Sequence, residues 1–130
     1  MAASYDLYQE QILDHYKKPR NKGPLPNATL NGRGTNPLCG DEVVLHLVVD
    51  GEQRISDVKF EGQGCAISQA SASILTTMVK GLLLADAEAF GRDILLSKMA
   101  IPLSAVRLKC ALLSLLVLKL ALGKTSAADS

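Results

Sequence analysis

The sequence predicts one domain in which helices pack around an antiparallel β-hairpin. Three features predict it: an amphipathic segment at 4–18, two apolar segments joined by Asp50-Gly51, and three helical segments after residue 64. With 130 residues, 48% apolar and 21% charged, the chain has the composition of a soluble globular domain with a modest core. A net charge of +1 without a Lys/Arg run gives no indication of a nucleic-acid partner.

The first element is predicted as a helix over 4–18, which Pro19 ends. Aromatic and apolar residues recur along it at helical spacing: Tyr5, Tyr8, Ile12 and Tyr16. We expect this stripe to cap the core, with a partner-docking face as the alternative. His15 is expected on the helix surface.

Residues 19–38 are predicted to form a long loop, because they contain four prolines, four asparagines and three glycines. A short strand near 28–31 is the only regular structure expected there. Loops of this length in compact domains are often functional covers. Since the segment leads directly to Cys39, we expect a mobile cover over that thiol.

The hairpin is predicted from strands at 42–49 and 54–61, because the Asp-Gly dipeptide between them favours a tight turn. The apolar residues of the second strand do not keep one alternation phase, which predicts a β-bulge near Ser56 and Asp57. His46 alternates with the apolar residues of its strand, so we expect it on the outer surface of the sheet.

Three helices are predicted after the hairpin, over 65–80, 85–96 and 104–122. The last is apolar almost all round, which predicts either burial on several sides or a patch exposed to a partner. We expect a single domain over 1–123 and a disordered tail over 124–130.

Neither secretion nor membrane insertion is expected. The longest apolar run, 111–122, is shorter than the roughly 20 residues that span a bilayer. The N-terminus lacks a charged region followed by an apolar one. We therefore expect a cytoplasmic protein, in which three cysteines indicate metal binding or thiol chemistry rather than disulfides.

Cys39, Cys65 and Cys110 are the three cysteines, and Asp41 follows the first by two residues. Residues i and i+2 of an extended segment share a face, so Cys39 and Asp41 can offer sulfur and oxygen to one ion. Cys65 begins a helix, whose dipole stabilises a thiolate. Three thiolates and a carboxylate suit tetrahedral zinc, although the spacing matches no zinc-knuckle signature and leaves the metal site open.

Two basic residues, Arg107 and Lys109, precede Cys110. Arg107 is three residues away and therefore on the same helix face. We expect both charges to support the site by favouring a Cys110 thiolate.

Four segments resemble the NifU N-terminal/IscU/SufU family of iron–sulfur cluster assembly proteins: LYQEQILDHYKKPRN at 7–21, NPLCGD at 36–41, VKFEGQGCAIS at 58–68 with ASAS at 70–73, and RLKC at 107–110. The resemblance covers the chain up to about Leu122. It implies an α+β fold of the SufE/NifU-like kind, with a small three-stranded antiparallel sheet packed against helices. It also implies a site formed by Cys39, Asp41, Cys65 and Cys110.

Within this family the sequence combines features of two branches. IscU-type scaffolds carry a histidine before the third cysteine, whereas Lys109 resembles SufU-type proteins. SufU-type proteins usually carry an insertion between the second and third cysteines, and the segment 81–106 is too short to contain it. The short linker bears on how the protein would dock on a desulfurase.

The leading interpretation is a zinc-bound sulfur acceptor, a sulfurtransferase that takes persulfide sulfur from a cysteine desulfurase of the SufS or IscS type. Cys39 would be the attacking thiolate, and Asp41 would keep the zinc exchangeable. The alternative is a scaffold that assembles a [2Fe-2S] cluster and passes it to a downstream carrier or apo-protein. A third hypothesis is a zinc-stabilised interaction module that presents the last helix.

Overall fold

The computed structural model describes residues 2–99 and 104–123, with backbone only for 2–9. The elements follow in the order α1 (Ala2–Lys17), β1 (Leu30–Asn36), β2 (Asp41–Val49), β3 (Ile55–Gln63), α2 (Ala66–Val79), α3 (Leu84–Ala89), α4 (Arg92–Met99) and α5 (Ala105–Ala121). The strands form an antiparallel sheet in the order β1-β2-β3. The predicted α+β fold with a three-stranded antiparallel sheet is confirmed.

Strand β2 is central and alternates as predicted. Val43, Leu45 and Leu47 are fully buried on its inner face, and His46 lies on the outer face between Asn31 and Glu61. The predicted β-bulge is confirmed, because Val48 pairs with Asp57 and the next residue pairs with Ile55, which leaves Ser56 without a partner in the ladder.

The prediction of a long mobile loop over 19–38, with only a short strand near 28–31, is wrong in part, because β1 occupies the second half of this segment. Seven of those residues pair with β2 from Leu30 to Asn36. Two glycines in this strand meet α5 rather than form turns: a Cβ on Gly32 would lie 2.6 Å from the Val117 carbonyl oxygen, and one on Gly34 would lie 2.8 Å from its Cγ2. Their small size permits close packing, and glycine within a strand often has this role.

Helices α2 and α5 cover the inner face of the sheet. Small residues in α2 allow α5 to approach closely, and the Ser71 hydroxyl donates to the Ala111 carbonyl at 2.5 Å. Helix α5 begins at the N-cap Ser104, whose side chain accepts from the Arg107 N–H. Of the two alternatives predicted for this helix, burial on several sides is observed. Its buried residues are Cys110, Ala111, Leu113, Ser114, Leu115, Val117, Leu118 and Ala121.

The predicted single helix over 85–96 is wrong, because the structure has α3 and α4 in its place. Phe90 interrupts the helical pattern with an extended backbone, φ −63° and ψ 119°. Its side chain is buried, so core packing of this aromatic ring outweighs the local helix propensity.

The prediction of a surface position for His15 is also wrong. The side chain is buried between α1 and α2, and its Nδ1 lies 2.7 Å from the Ser73 hydroxyl. Burial first, and then the nearby Arg20 charge, lower the pKa of His15 below its usual value. On the predicted aromatic stripe, Ile12 packs in the core whereas Tyr16 is exposed. The Tyr5 and Tyr8 side chains lie outside the described residues.

Within residues 2–99 and 104–123, no helix is both long and apolar enough to cross a membrane. The predicted tail at 124–130 lies outside the described part of the chain.

Candidate metal centre

The four predicted ligands lie at one end of the sheet. Cys39 is in the four-residue turn between β1 and β2, and Asp41 is the first residue of β2. Glu42 pairs with Gln63 at the end of β3, so Cys65, two residues later, returns to the same edge as the N-cap of α2. Cys110 lies in the second turn of α5. Antiparallel pairing and the packing of two helices therefore assemble the site.

Three of these residues form a compact group. The possible ligand atoms of Cys39, Asp41 and Cys110 all lie within 4.8 Å of one another. The Cys39 and Cys110 Sγ atoms are 3.0 Å apart, and all three cysteines are free thiols. Cys65 lies beside this group, with its Sγ 3.8 Å from Asp41 Oδ2.

The donor set fits a zinc ion. Ligands that bind zinc at about 2.0–2.3 Å in a tetrahedron lie within about 4 Å of one another, which is close to the observed separations. Asp41 is only 2% exposed, and a buried carboxylate requires hydrogen bonds or a cation as partners. Thiolate ligands also suit iron in an iron–sulfur cluster, so the donor set fits both predicted cofactors.

Gly64 explains how α2 comes so close to Asp41. The Cys65 N–H donates to Asp41 Oδ1 at 2.8 Å. A Cβ on Gly64 would lie 2.3 Å from that same oxygen and 2.7 Å from the Asp41 Cα, and its φ is +139°. Glycine therefore meets both the steric and the backbone requirement at this position.

Burial is the main influence on the Cys110 thiol. Burial first, and then hydrogen bonds with Cys39, Asp41 and Cys65, raise the pKa of Cys110 well above its usual value. Arg107 and Lys109 are exposed, and their support of a Cys110 thiolate stays a prediction. A bound cation reverses this preference, because a coordinating thiol is deprotonated.

Asn36 is a residue of the site that the sequence analysis did not identify. It is buried, and its side-chain amide faces both Asp41 and Cys110. Its position as the β1 partner of Asp41 is a property of strand register, and nothing in the local sequence indicated that register.

A cleft of about 460 Å³ is lined by Asn36 but by none of the four predicted ligands. Its lining residues are Thr35, Asn36, Arg92, Ala105, Leu108, Lys109, Leu112, Leu113 and Leu116. Its apolar wall is formed by half-buried and buried leucines of α5, and both charged residues in the lining are basic. The cleft therefore favours an apolar group next to an anionic one.

The fold and the site together define a small α+β protein with a thiol-rich candidate metal site. The family model described as the NifU-like N terminal domain matches residues 7–129. The chain therefore belongs to this family, as its motifs predicted.

Three known proteins show the range of this similarity. The chain is 51% identical over 75 residues to the zinc-dependent sulfurtransferase SufU of Bacillus subtilis, a match that covers 58% of this chain and 50% of SufU. It is 36% identical over 110 residues to the iron–sulfur cluster assembly scaffold protein IscU of Haemophilus influenzae, which covers 82% of this chain and 86% of IscU. A crystal structure from Fervidobacterium islandicum, described as a SUF-system scaffold, superimposes with a TM-score of 0.69 at 34% identity and covers 92% of this chain and 98% of that one. The chain spans about half the length of several curated relatives that it matches.

Proposed function

We propose that the chain acts in iron–sulfur cluster assembly as a zinc-bound acceptor of persulfide sulfur from a cysteine desulfurase. The observation that carries this proposal is the position of Cys39. Its thiol is half-buried on a turn between the exposed Leu38 and Gly40, and it lies 3.0 Å from the buried Cys110 thiol. A partner protein can therefore reach this sulfur, whereas the Cys110 thiol is buried. Cys65 is half-buried as well, but it is the N-cap of α2 and does not lie on a turn between strands.

Cys39, Asp41, Cys65 and Cys110 would hold the zinc. The ion supplies a charge that keeps the thiols deprotonated at neutral pH. Asp41 would make ligand exchange easier, because a hard carboxylate holds zinc less firmly than a fourth thiolate. The SufU relative, named as zinc-dependent, supports this choice of metal.

In the transfer step, the Cys39 thiolate attacks the terminal sulfur of the persulfide on the desulfurase. A new S–S bond forms at Cys39 while the S–S bond of the enzyme persulfide breaks. The desulfurase cysteine leaves as a thiolate with the bonding electron pair. Arg92 and Lys109 beside the cleft favour the approach of the anionic persulfide.

Metal and sulfide content distinguish this function from the scaffold alternative. The protein is purified without oxygen, and its zinc, iron, acid-labile sulfide and visible spectrum are measured. Colourless protein with about one zinc per chain supports the acceptor. Brown protein with iron and sulfide in equal amounts contradicts it.

A [2Fe-2S] scaffold is the second candidate function. Two observations favour it: the short linker between Cys65 and Cys110 and the match that covers 86% of the IscU scaffold protein. The same four residues would then ligate a cluster that is delivered to a downstream carrier or apo-protein. Asp41→Ala should lengthen the cluster lifetime in this case, and an unchanged lifetime would count against the scaffold.

The third hypothesis, a zinc-stabilised interaction module, makes a different prediction. Removal of zinc by a chelator would unfold such a protein. The turnover of a cysteine desulfurase would not depend on the bound metal. For all three functions we propose a single domain over 1–123 that works in the cytoplasm, where reduced thiols persist.

A further inference from the structure

Asn36, the last residue of β1, contacts two of the proposed ligands without being one. It is 7% exposed. Its Nδ2 lies 3.4 Å from Asp41 Oδ2 and 3.6 Å from Cys110 Sγ. Zinc sites in proteins use thiolate, imidazole and carboxylate ligands, so this amide has a different role from its neighbours.

The two acceptors that face the Asn36 side chain determine the orientation of its amide group. The Nδ2 group has two hydrogens and faces two acceptors, a carboxylate oxygen and a sulfur. The opposite orientation would place the amide oxygen, which only accepts, against the Asp41 carboxylate. The amide therefore donates one hydrogen toward β2 and one toward α5.

The local sequence explains why Asn36 reaches these ligands. Pro37 restricts residue 36 to an extended backbone, which continues β1 up to the turn. Asn36 is paired with Asp41 in the antiparallel ladder, and side chains of directly paired residues lie on the same face of the sheet. The Asn36 carbonyl also accepts from the Cys39 N–H at 3.2 Å, so the residue also fixes the turn that carries Cys39.

We propose that Asn36 is a positioning residue that holds Asp41 and Cys110 together as metal ligands. These two ligands come from different elements, β2 and α5. Its two hydrogen bonds reduce the repulsion between a carboxylate and a thiolate that must lie next to each other. The inference rests on the proposed metal site, in which Asp41 and Cys110 are two of the four ligands.

Zinc affinity is the direct test, with Asn36→Leu as the variant because leucine keeps the approximate shape and removes both donors. Affinity is measured without oxygen by competition with a chromogenic chelator. Loss of a hydrogen bond to a metal ligand typically lowers affinity 10- to 100-fold, and we expect a loss of about that size. An affinity within about twofold of the wild type would overturn the proposal.

Thr35→Val is the matched control. Thr35 is the neighbouring residue of β1 and is exposed where Asn36 is buried, because successive side chains of a strand lie on opposite faces. We expect this variant to bind zinc like the wild type. A loss equal to that of Asn36→Leu would show a general effect on β1 and would contradict the specific role.

Two further measurements use protein to which cobalt or zinc has been added. Cobalt in place of zinc reports the ligand geometry through its visible spectrum, which should change in Asn36→Leu and not in Thr35→Val. If Asn36→Leu does not fold, the wild type still tests the proposal. Its Asn36 side-chain amide resonances should shift when zinc is added, and unshifted resonances would contradict it.

These results are separable from the proposed function. A chain whose zinc affinity depends on Asn36 but that accepts no sulfur would contradict the acceptor function alone. A chain that accepts sulfur with an affinity for zinc independent of Asn36 would contradict the positioning role alone.

Discussion

The two carboxylates at opposite ends of β2 have different partners. Asp50, just after the strand, accepts the N–H groups of Glu52 and Arg54 within its own turn. Asp41, the first residue of the strand, accepts the N–H of Cys65, 24 residues away. One carboxylate stabilises a turn. The other is buried among thiols and Asn36, where it can bind a cation.

Substitution of the glycines beside these carboxylates is expected to give the largest difference in stability and zinc binding between the two ends of β2. Gly64→Ala would place a Cβ 2.3 Å from Asp41 Oδ1 on a backbone with φ +139°. Strain of this kind costs about 1–3 kcal/mol, and the overlap would also move Asp41 away from the cluster. We expect lower stability in urea and loss of zinc binding.

Gly51→Ala at the opposite turn is the control for this substitution. Nothing lies within 4 Å of a Cβ at that position. We expect a change in unfolding free energy within about 0.5 kcal/mol, as for most surface substitutions, and normal zinc binding. Equal effects at Gly64 and Gly51 would remove the distinction between the two ends.

Replacement of the carboxylates themselves should give a smaller difference in stability. Asp41→Ala removes a proposed ligand and leaves the Cys65 N–H without its acceptor, which costs about 1–3 kcal/mol for a buried group. Asp50→Ala should cost about 1 kcal/mol, like the loss of a helix cap, and should leave zinc affinity unchanged. Chelator competition and urea unfolding measure both, and zinc affinity insensitive to Asp41 would contradict its role as a ligand.

Replacement of the two histidines should have the smallest effect, which is a change in the pH dependence of folding stability. The pKa of His15 is lowered in the folded protein by burial and by Arg20. The unfolded chain therefore binds the proton more readily, so stability is complete above about pH 6.5 and falls as the pH drops below that value. His15→Gln should reduce this dependence in urea unfolding between pH 7.5 and 5.5.

His46→Gln on the outer face of the sheet is the comparison for His15. His46 is paired with Asn31 and Glu61 away from the core. Its replacement should leave unchanged the loss of folding stability below about pH 6.5. A decline that persists in His15→Gln and disappears in His46→Gln would reverse this assignment.

The difference between the two ends of β2 also explains which parts of the structure the sequence could predict. The position of the hairpin at Asp50-Gly51, the bulge at Ser56 and the end of α2 near residue 80 depend on neighbours in the chain, and each was predicted correctly. Strand β1 was predicted only as a short strand near 28–31, because Gly32 and Gly34 resemble turn signals until α5 is in place. Phe90 ended a predicted helix for a similar reason, since its burial is a tertiary effect.

The candidate site shows the same division. Cys39, Asp41, Cys65 and Cys110 could be identified from residue type and from the family resemblance. Asn36 and the contact of Gly64 with Asp41 could not, because they depend on strand register and on the approach of α2. The burial that raises the pKa of Cys110 likewise follows from the packing of α5, which the residues next to Cys110 in sequence do not reveal.

The most direct test of the sulfur-acceptor function is the position of transferred sulfur. The protein is incubated without oxygen with a cysteine desulfurase and L-cysteine, its thiols are trapped, and its peptides are analysed by mass spectrometry. We predict one added sulfur atom on Cys39 and no sulfur acceptance by Cys39→Ser. Sulfur found first on Cys65 or Cys110, or undiminished acceptance by Cys39→Ser, would contradict the account.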